Sequence, residues 1–172
     1  MNHTKIYTEE GDITQIPADA LITAINSEGM WFGGIDGAIQ KVAGDMYHSQ
    51  VYGNLTDLQT IVTRGRGQHR GKFKDVVFVI DDLESSLNKV LYAGLETANN
   101  EGYQHILVPT IRMGVMSGVR EKTPEEAIEQ MALGVKNFLD RYSKNTKLED
   151  IKFIIYNNPS LAKDISSALD KI

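Results

Sequence analysis

The chain has 172 residues, of which 41% are hydrophobic and 24% are charged, as expected for one soluble globular domain. It contains no cysteine, which excludes a disulfide framework, a thiolate metal site and a thiol nucleophile. The formal net charge of −5 argues against a protein that coats nucleic acid through its overall field, and it means that an anionic ligand would need specific donors.

No apolar run in the sequence reaches the roughly 18 residues that a membrane-spanning helix requires. The N-terminal segment MNHTKIYTEEGD also lacks the basic and apolar parts of a secretion signal. We therefore expect a single domain over residues 1–172, located in the cytoplasm and not associated with a membrane.

The first part of the chain predicts strand, strand, glycine-rich loop and helix. KIYTEEGDI is expected to form a strand that ends in a turn, and the apolar run at 20–27 has strand length. The loop NSEGMWFGG follows it. Asp36 then occupies the N-cap position of a helix that places Ile39 on its apolar face and ends at Gly44.

The middle of the chain predicts two strands, at 60–65 and 75–81, on either side of a basic stretch from Arg64 to Lys74. A long helix follows, capped by Ser85 or Ser86 and closed at residue 102.

The last part of the chain begins with a strand at 105–111 and a second glycine-bearing loop, RMGVMSGVREK. Thr123, Pro124 and Glu126 form a strong helix start, with threonine as the N-cap and glutamate three residues later. IKFIIYNN and PSLAKDISSALDKI supply a final strand and helix. Strands that alternate with helices predict an α/β fold, with a mostly parallel sheet covered on both faces.

Both glycine-bearing loops follow the carboxyl end of a strand, which is where α/β sheets bind ligands. A loop of this kind that leads into a helix offers unpaired amides and the positive end of a helix dipole, which suit phosphate oxygens. Glycines at such turns also occur for structural reasons alone. The sequence has no GxxxxGK[ST] motif, and GMWFGG does not match GxGxxG.

The segment GDITQIPADALITAINSEGMWFGGIDGAIQKVAG resembles the N-terminal signature of the macrodomain family, whose members bind ADP-ribose. The family pattern is roughly GDIT, an apolar strand ending in NAAN, a glycine-rich loop and VDGAIH. The likeness continues through HILVPTIRMGVMSG and FIIYNN, so it covers nearly the whole chain. It implies a three-layer α/β/α fold around a mixed, mostly parallel sheet, with ADP-ribose in a cleft at the strand ends.

The resemblance also implies which residues touch the ligand. Asp12 would accept a hydrogen bond from the adenine amino group, and Tyr156 or Asn157 would border the adenine. Asn26 would bind the distal ribose. The other contacts, made by the main chain, would come from Ile13, Gly33, Gly34, Ile35, Gly114, Val115, Met116, Ser117 and Gly118.

In catalytic members of the family, the residues matching Asn26 and Asp36 orient the ribose and a water that attacks a bond at the distal ribose. The resemblance therefore implies hydrolysis of O-acetyl-ADP-ribose or of mono-ADP-ribosylated protein, without a metal or another cofactor. A carboxylate can position or activate water, and an amide side chain can hold two hydroxyls. The four histidines lack metal-binding spacing.

Two alternatives come from different functional classes. The first is a non-catalytic ADP-ribose reader, which binds the ligand without cleaving it. The second is a nucleic-acid binder that uses the five Lys and Arg residues between Arg64 and Lys74. We favour a charged hairpin loop for this stretch, because only Phe73 accompanies it as a stacking platform.

Several residues depart from the family pattern. Thr23 replaces the first asparagine of NAAN, and Trp31 and Phe32 replace glycines. These two aromatic side chains would stack on the ligand, narrow the site or cover the sheet edge. Met116 stands where an aromatic residue is usual. Arg112 replaces a serine, and it would pair either with phosphate or with a carboxylate of the protein.

Overall fold

The computed structural model describes residues 4–29, 34–114 and 116–172. Its strands are β1 Lys5–Glu10, β2 Ala18–Ile25, β3 Thr60–Thr63, β4 Phe73–Ile80, β5 His105–Val108 and β6 Asp150–Ile155. They form one sheet in the order β1-β6-β5-β2-β4-β3. All neighbouring strands pair in parallel except β3, which is antiparallel to β4, so the sheet is mixed and mostly parallel as predicted.

The helices are α1 Gly34–Ala43, α2 Leu87–Asn100, α3 Pro124–Tyr142 and α4 Pro159–Leu169. Strand β2 shows how the layers form, because Ile22 belongs to the buried cluster that includes residues of α2, α3 and α4, whereas Leu21 belongs to the cluster that includes Ile39 of α1. The predicted three-layer α/β/α arrangement is confirmed. Within the described ranges, no helix is both long and apolar enough to cross a membrane.

Local sequence determines some helix starts and not others. Thr123 caps α3 as predicted, since its hydroxyl accepts a hydrogen bond from the Glu126 amide at 3.1 Å. The N-cap prediction for Asp36 is wrong, because this residue lies inside the first turn of α1. Ser86 does precede α2, but its side chain makes no capping hydrogen bond.

The strand ends differ from the predicted ones by a few residues. Strand β4 begins at Phe73 and so includes the end of the basic stretch, whose remainder is the predicted hairpin connection from β3 to β4. Strand β5 stops before Pro109, which has no amide to donate to a neighbouring strand.

An ion pair joins the amino ends of β5 and β6. The Nδ1 atom of His105 lies 2.6 Å from an oxygen of Asp150, and Nε2 lies 3.5 Å from an oxygen of Glu149. The hydrogen bond to Asp150 raises the pKa of His105 above its ordinary value, although partial burial opposes this. The pair therefore stabilises the fold below the ordinary histidine pKa, and its contribution is lost as the pH rises through the raised value.

Close packing of α2 on the sheet gives a test of the fold. A Cβ atom on Gly94 would lie 2.6 Å from Cγ2 of Ile22 and 3.2 Å from Cγ2 of Val79. We expect Gly94→Ala to lower the free energy of unfolding by about 1–3 kcal/mol, because overpacking outweighs the helix preference of alanine.

Urea denaturation measures this change, and Gly37→Ala in α1 is the control. A Cβ atom on Gly37 meets nothing within 4 Å, so we expect that variant to gain about 0.5–1 kcal/mol. A Gly94→Ala protein as stable as the wild type would contradict the packing described here.

Candidate ligand-binding cleft

Two adjoining cavities lie where the carboxyl ends of the strands lead into loops. Their volumes are about 230 and 740 Å³, and the larger one is within the usual range for small-molecule sites. Both are lined by Gly34 and Ile35 at the start of α1 and by Pro109 and Thr110 after β5. The two cavities therefore form one cleft that runs past the amino end of a helix.

Asp12 lies at one end of the cleft, in the larger cavity. Its Oδ1 atom accepts hydrogen bonds from the amide of Thr14 at 3.0 Å and from the Thr14 hydroxyl at 2.7 Å, and these bonds hold the short 3₁₀ turn that contains Ile13. Ile13 and Tyr156 line the same cavity, and Tyr156 is 79% exposed. Asn157, which has a φ of 49°, is not among the lining residues.

Asn26 directly follows β2. Its side-chain oxygen accepts a hydrogen bond from the Glu28 amide at 3.0 Å, and its carbonyl accepts one from the Gly29 amide at 2.9 Å. The next amide, that of Ser27, donates to Asp82 at 2.7 Å. Asn26 thus shapes the loop in which it lies.

Asp36 is fully buried in the first turn of α1. One of its oxygens lies 3.1 Å from Nε2 of His48, whose ring packs against Phe78 at a centroid distance of 4.9 Å. Asp36 is not among the described residues that line either cavity, whereas the preceding Gly34 and Ile35 line both. Gly34 and Ile35 at the start of α1 therefore face the cleft, while the carboxylate of Asp36 is packed inside.

Residues 112–121, here called the second loop, form part of the wall of the smaller cavity through Gly114 and Met116. The Ser117 amide donates to the Gly114 carbonyl at 3.0 Å, so one predicted phosphate donor is already used within the loop. Gly118 has a φ of 76°, a left-handed conformation that suits glycine, and it does not line the cavity.

Four residues named in the sequence analysis lie outside the described parts of the chain. They are Trp31, Phe32, Gly33 and Val115. Their predicted contacts remain predictions.

Arg112 begins the second loop with a buried guanidinium. Its side chain is 1% exposed and pairs with Asp81 and Glu121, which is the carboxylate pairing named among the alternatives. Burial alone would lower the pKa of Arg112, but its hydrogen bonds to the two carboxylates raise the pKa above its ordinary value. Arg112 therefore remains charged.

A group of three carboxylates, Asp57, Asp82 and Glu84, lies near the loop after β2, with oxygens within 4.8 Å of one another. Asp57 accepts hydrogen bonds from the Asp82 amide at 2.8 Å and from the Ser85 hydroxyl at 2.7 Å. Together with the bond from Ser27 to Asp82, these contacts join three loops, and we assign the group a structural role.

Sequence reasoning missed several residues that line the cleft. They are Thr110 and Pro109 after β5, Ala38, Lys41 and Val42 along α1, Ile154 in β6, Arg70 in the basic hairpin, and Thr23, Ala24 and Ile111. The spacing of Ala38 and Val42 places them on one face of α1, which was a usable signal. No local pattern could indicate Arg70, because the folding of the hairpin against α1 brings it to the cleft.

The fold and the cleft define an α/β/α protein with a small-molecule-sized cleft at the carboxyl edge of its sheet. No family model matches the chain. The chain is 29% identical over 165 residues to an O-acetyl-ADP-ribose deacetylase of Escherichia fergusonii, in an alignment that covers 90% of the chain and 89% of the relative. It is 28% identical over 186 residues to a macro domain-containing protein of Methanosarcina mazei, in an alignment that covers 100% of the chain and 91% of that protein.

The solved structures agree with this result. The Trypanosoma brucei macrodomain in complex with ADP-ribose matches with a TM-score of 0.75 at 20% identity, covering 96% of the chain and 68% of that structure. The chain is therefore similar in sequence to macro domain proteins and O-acetyl-ADP-ribose deacetylases, and it has the fold of the solved macrodomains.

The pairing of Glu121 with Arg112 predicts a pH-dependent stability. Burial raises the pKa of Glu121, but the hydrogen bonds from Arg112 and the Leu87 amide outweigh it and hold the pKa below its ordinary value. Such a carboxyl stabilises the fold above its unfolded-state pKa, and this contribution is lost as the pH falls through the folded-state pKa.

We therefore expect Glu121→Gln to lower the free energy of unfolding at pH 7 by about 3 kcal/mol, since it leaves a buried charge with fewer partners. The difference from wild type should narrow below about pH 4. Urea denaturation across this pH range measures both effects. Glu129→Gln, at an exposed position of α3, is the control, and a difference that stays constant with pH would contradict the role of the charge.

Proposed function

We propose that the protein binds ADP-ribose in the cleft. The observation that carries this proposal is the continuity of the two cavities, which lead from Asp12 and Tyr156 past the start of α1 to Gly114 and Met116. The Escherichia fergusonii relative is an O-acetyl-ADP-ribose deacetylase, and the Trypanosoma brucei macrodomain was solved with ADP-ribose, which supports the choice of ligand.

The adenine belongs at the Asp12 end. The Oδ1 atom of Asp12 is used by Thr14, which leaves Oδ2 to accept a hydrogen bond from the adenine amino group. Ile154 supplies an apolar wall, and the exposed ring of Tyr156 offers a surface for stacking. This end of the cleft thus provides one polar contact for orientation and apolar area for affinity.

The diphosphate belongs between the start of α1 and the second loop. Arg112 is the only Lys or Arg among the described residues that line the smaller cavity, and its guanidinium is buried against carboxylates. Main-chain amides and the positive end of the α1 dipole are therefore the groups that attract phosphate oxygens here. In an acidic protein, this part of the cleft binds an anion without an exposed cation in its described lining, because the exposed Lys41 and Arg70 line only the larger cavity.

We propose further that the protein hydrolyses an ester at the distal ribose. The proposed substrate is O-acetyl-ADP-ribose, and mono-ADP-ribosylated protein is the alternative substrate. Asn26 would hold ribose hydroxyls, and Asp36 would orient the attacking water. His48 fixes the direction of the Asp36 carboxylate through their hydrogen bond. The names of the bacterial relatives support this reaction.

One observation favours the second candidate, a reader that binds ADP-ribose without cleaving it. The Asp36 carboxylate is fully buried, is hydrogen-bonded to His48, and is not among the described lining of the cleft. A carboxylate in this position stabilises α1 whether or not the protein catalyses a reaction. Binding and turnover therefore need separate experiments.

The binding proposal is tested at Asp12. Asp12→Asn retains an oxygen that can accept from Thr14 and replaces the other oxygen with a donor, which cannot accept from the adenine amino group. We expect isothermal titration calorimetry to show about a tenfold loss of ADP-ribose affinity, as for a lost hydrogen bond to a charged group.

Asp164→Asn, at an exposed position of α4, should bind like the wild type. If calorimetry detects no binding of ADP-ribose to the wild type, both the hydrolase and the reader are ruled out.

The hydrolysis proposal is tested at Asp36. Asp36→Asn preserves side-chain volume and a contact with His48, so we expect ADP-ribose affinity to change little. The rate of acetate release from O-acetyl-ADP-ribose should fall by about a hundredfold or more, as for the loss of a general base. Asp45→Asn, at an exposed position after α1, is the matched control. A wild type that binds ADP-ribose tightly and releases no acetate is the result that the reader predicts.

A further inference from the structure

A buried ionic cluster, formed by Arg112, Asp81 and Glu121, adjoins the smaller cavity. The Nε and Nη2 atoms of Arg112 donate to the two oxygens of Asp81 at 3.0 and 2.7 Å, and Nη1 donates to Glu121 at 2.8 Å. A further bond of 2.7 Å runs from Nη2 to the carbonyl of Ser85. The side chains of the three charged residues are at most 3% exposed.

The cluster is closed, because every carboxylate oxygen in it accepts a hydrogen bond. The remaining oxygen of Glu121 accepts from the Leu87 amide at 3.0 Å, and Asp81 also accepts from the Leu83 amide at 2.9 Å. A satisfied network of this kind is rigid, since any movement leaves a buried charge without a partner. It links the connection from β4 to α2 with the second loop.

The same guanidinium holds both ends of the second loop. Arg112 is its first residue and Glu121 its last, and eight residues lie between them. Gly114 and Met116, within that span, line the smaller cavity. Fixing the ends of a loop reduces the number of conformations that it must give up when a ligand binds.

The backbone at Arg112 supports this role. Its φ of 62° is a left-handed conformation, which glycine and asparagine adopt at lower cost than arginine does. Neither of those residues could supply the four hydrogen bonds that the guanidinium makes. The side-chain contacts of Arg112 therefore compensate for an unfavourable backbone conformation.

We propose that Arg112 is a positioning residue for ligand binding, an inference that rests on the proposed function. By holding the two ends of the second loop, it keeps the loop amides in place for the diphosphate and does not touch the phosphates itself. An arginine beside a phosphate site thus acts through the main chain of a neighbouring loop.

The test compares Arg112→Lys with Arg120→Lys. Lysine at 112 retains the charge and loses the paired hydrogen bonds to Asp81. Arg120 is an exposed arginine of the same loop, whose contact with the Leu83 carbonyl is 3.5 Å long, so it is the matched control. The measurements are backbone ¹⁵N order parameters for residues 113–120, ADP-ribose affinity by calorimetry, and adenosine affinity by NMR titration.

We expect Arg112→Lys to lower the loop order parameters and to weaken ADP-ribose binding by about tenfold, as when a loop spends one tenth of its time in the competent state. Adenosine, which reaches only the Asp12 end, should bind as it does to the wild type. Arg120→Lys should change none of the three measurements. A purely structural role for Arg112 would lower the melting temperature and leave the ratio of the two affinities unchanged.

A second variant covers the case in which Arg112→Lys does not fold. The triple variant Arg112→Met, Asp81→Asn and Glu121→Gln removes all three charges at similar volume, so no buried charge is left without a partner. We expect it to fold, with the same loosened loop and the same selective loss of ADP-ribose affinity.

The outcomes separate this inference from the proposed function. Unchanged order parameters in the variants would overturn the clamping role, and changed order parameters with unchanged ADP-ribose affinity would overturn the role in binding. A wild type that does not bind ADP-ribose would overturn the proposed function and, with it, the role in binding, while the order parameters would still decide whether Arg112 holds the loop.

Discussion

Parallel pairing of five neighbouring strands is the constraint on which the rest of the molecule depends. Because β1, β6, β5, β2 and β4 run in the same direction, the loops that follow them all leave the sheet at one edge. Asp12 follows β1, Asn26 follows β2 and Tyr156 follows β6, so residues far apart in sequence are placed at that edge. The direction of the strands therefore determines where the cleft lies, and the side chains determine what lines it.

The acidic chain pairs two of its arginine side chains with its own carboxylates. Arg112 is buried against Asp81 and Glu121, and Arg64 of the basic hairpin lies 3.2 Å from Asp75. Both guanidinium groups are thus neutralised by carboxylates of the chain itself. The positive potential at the start of α1 comes from peptide dipoles, which keep their direction when the ligand leaves. Main-chain dipoles also need no counter-ion in the empty site.

Features that depend on neighbouring residues in the sequence could be predicted well. Thr123 and Glu126 lie three residues apart, and their capping interaction forms as predicted. Strand β2, apolar on both faces, reads as a central strand, and it pairs with β4 and β5. The family pattern added the position of the cleft, which periodicity alone could place only at the strand ends.

Features that depend on distant residues could not be predicted from local patterns. Asp36 has the chemistry of an N-cap, but its partner is His48, which the fold brings to it after α1 has ended. Arg112 pairs with Glu121 at the other end of its own loop and with Asp81 in the connection from β4 to α2, and no local sequence pattern indicates either pairing. In both cases tertiary contacts supply the hydrogen-bond partners of a charged side chain, in place of the partners that its local sequence suggested.

The pair of His105 with Asp150 lies where β5 and β6 begin, at the sheet edge opposite the cleft. Protonation of the imidazole therefore adds charge at the edge of the sheet away from the residues that line the cleft. Mild acidification therefore favours the charged form of His105 and strengthens its contact with Asp150 at this edge of the sheet. Crystals for soaking can thus be grown slightly below neutrality, where the contribution of this pair to stability is retained.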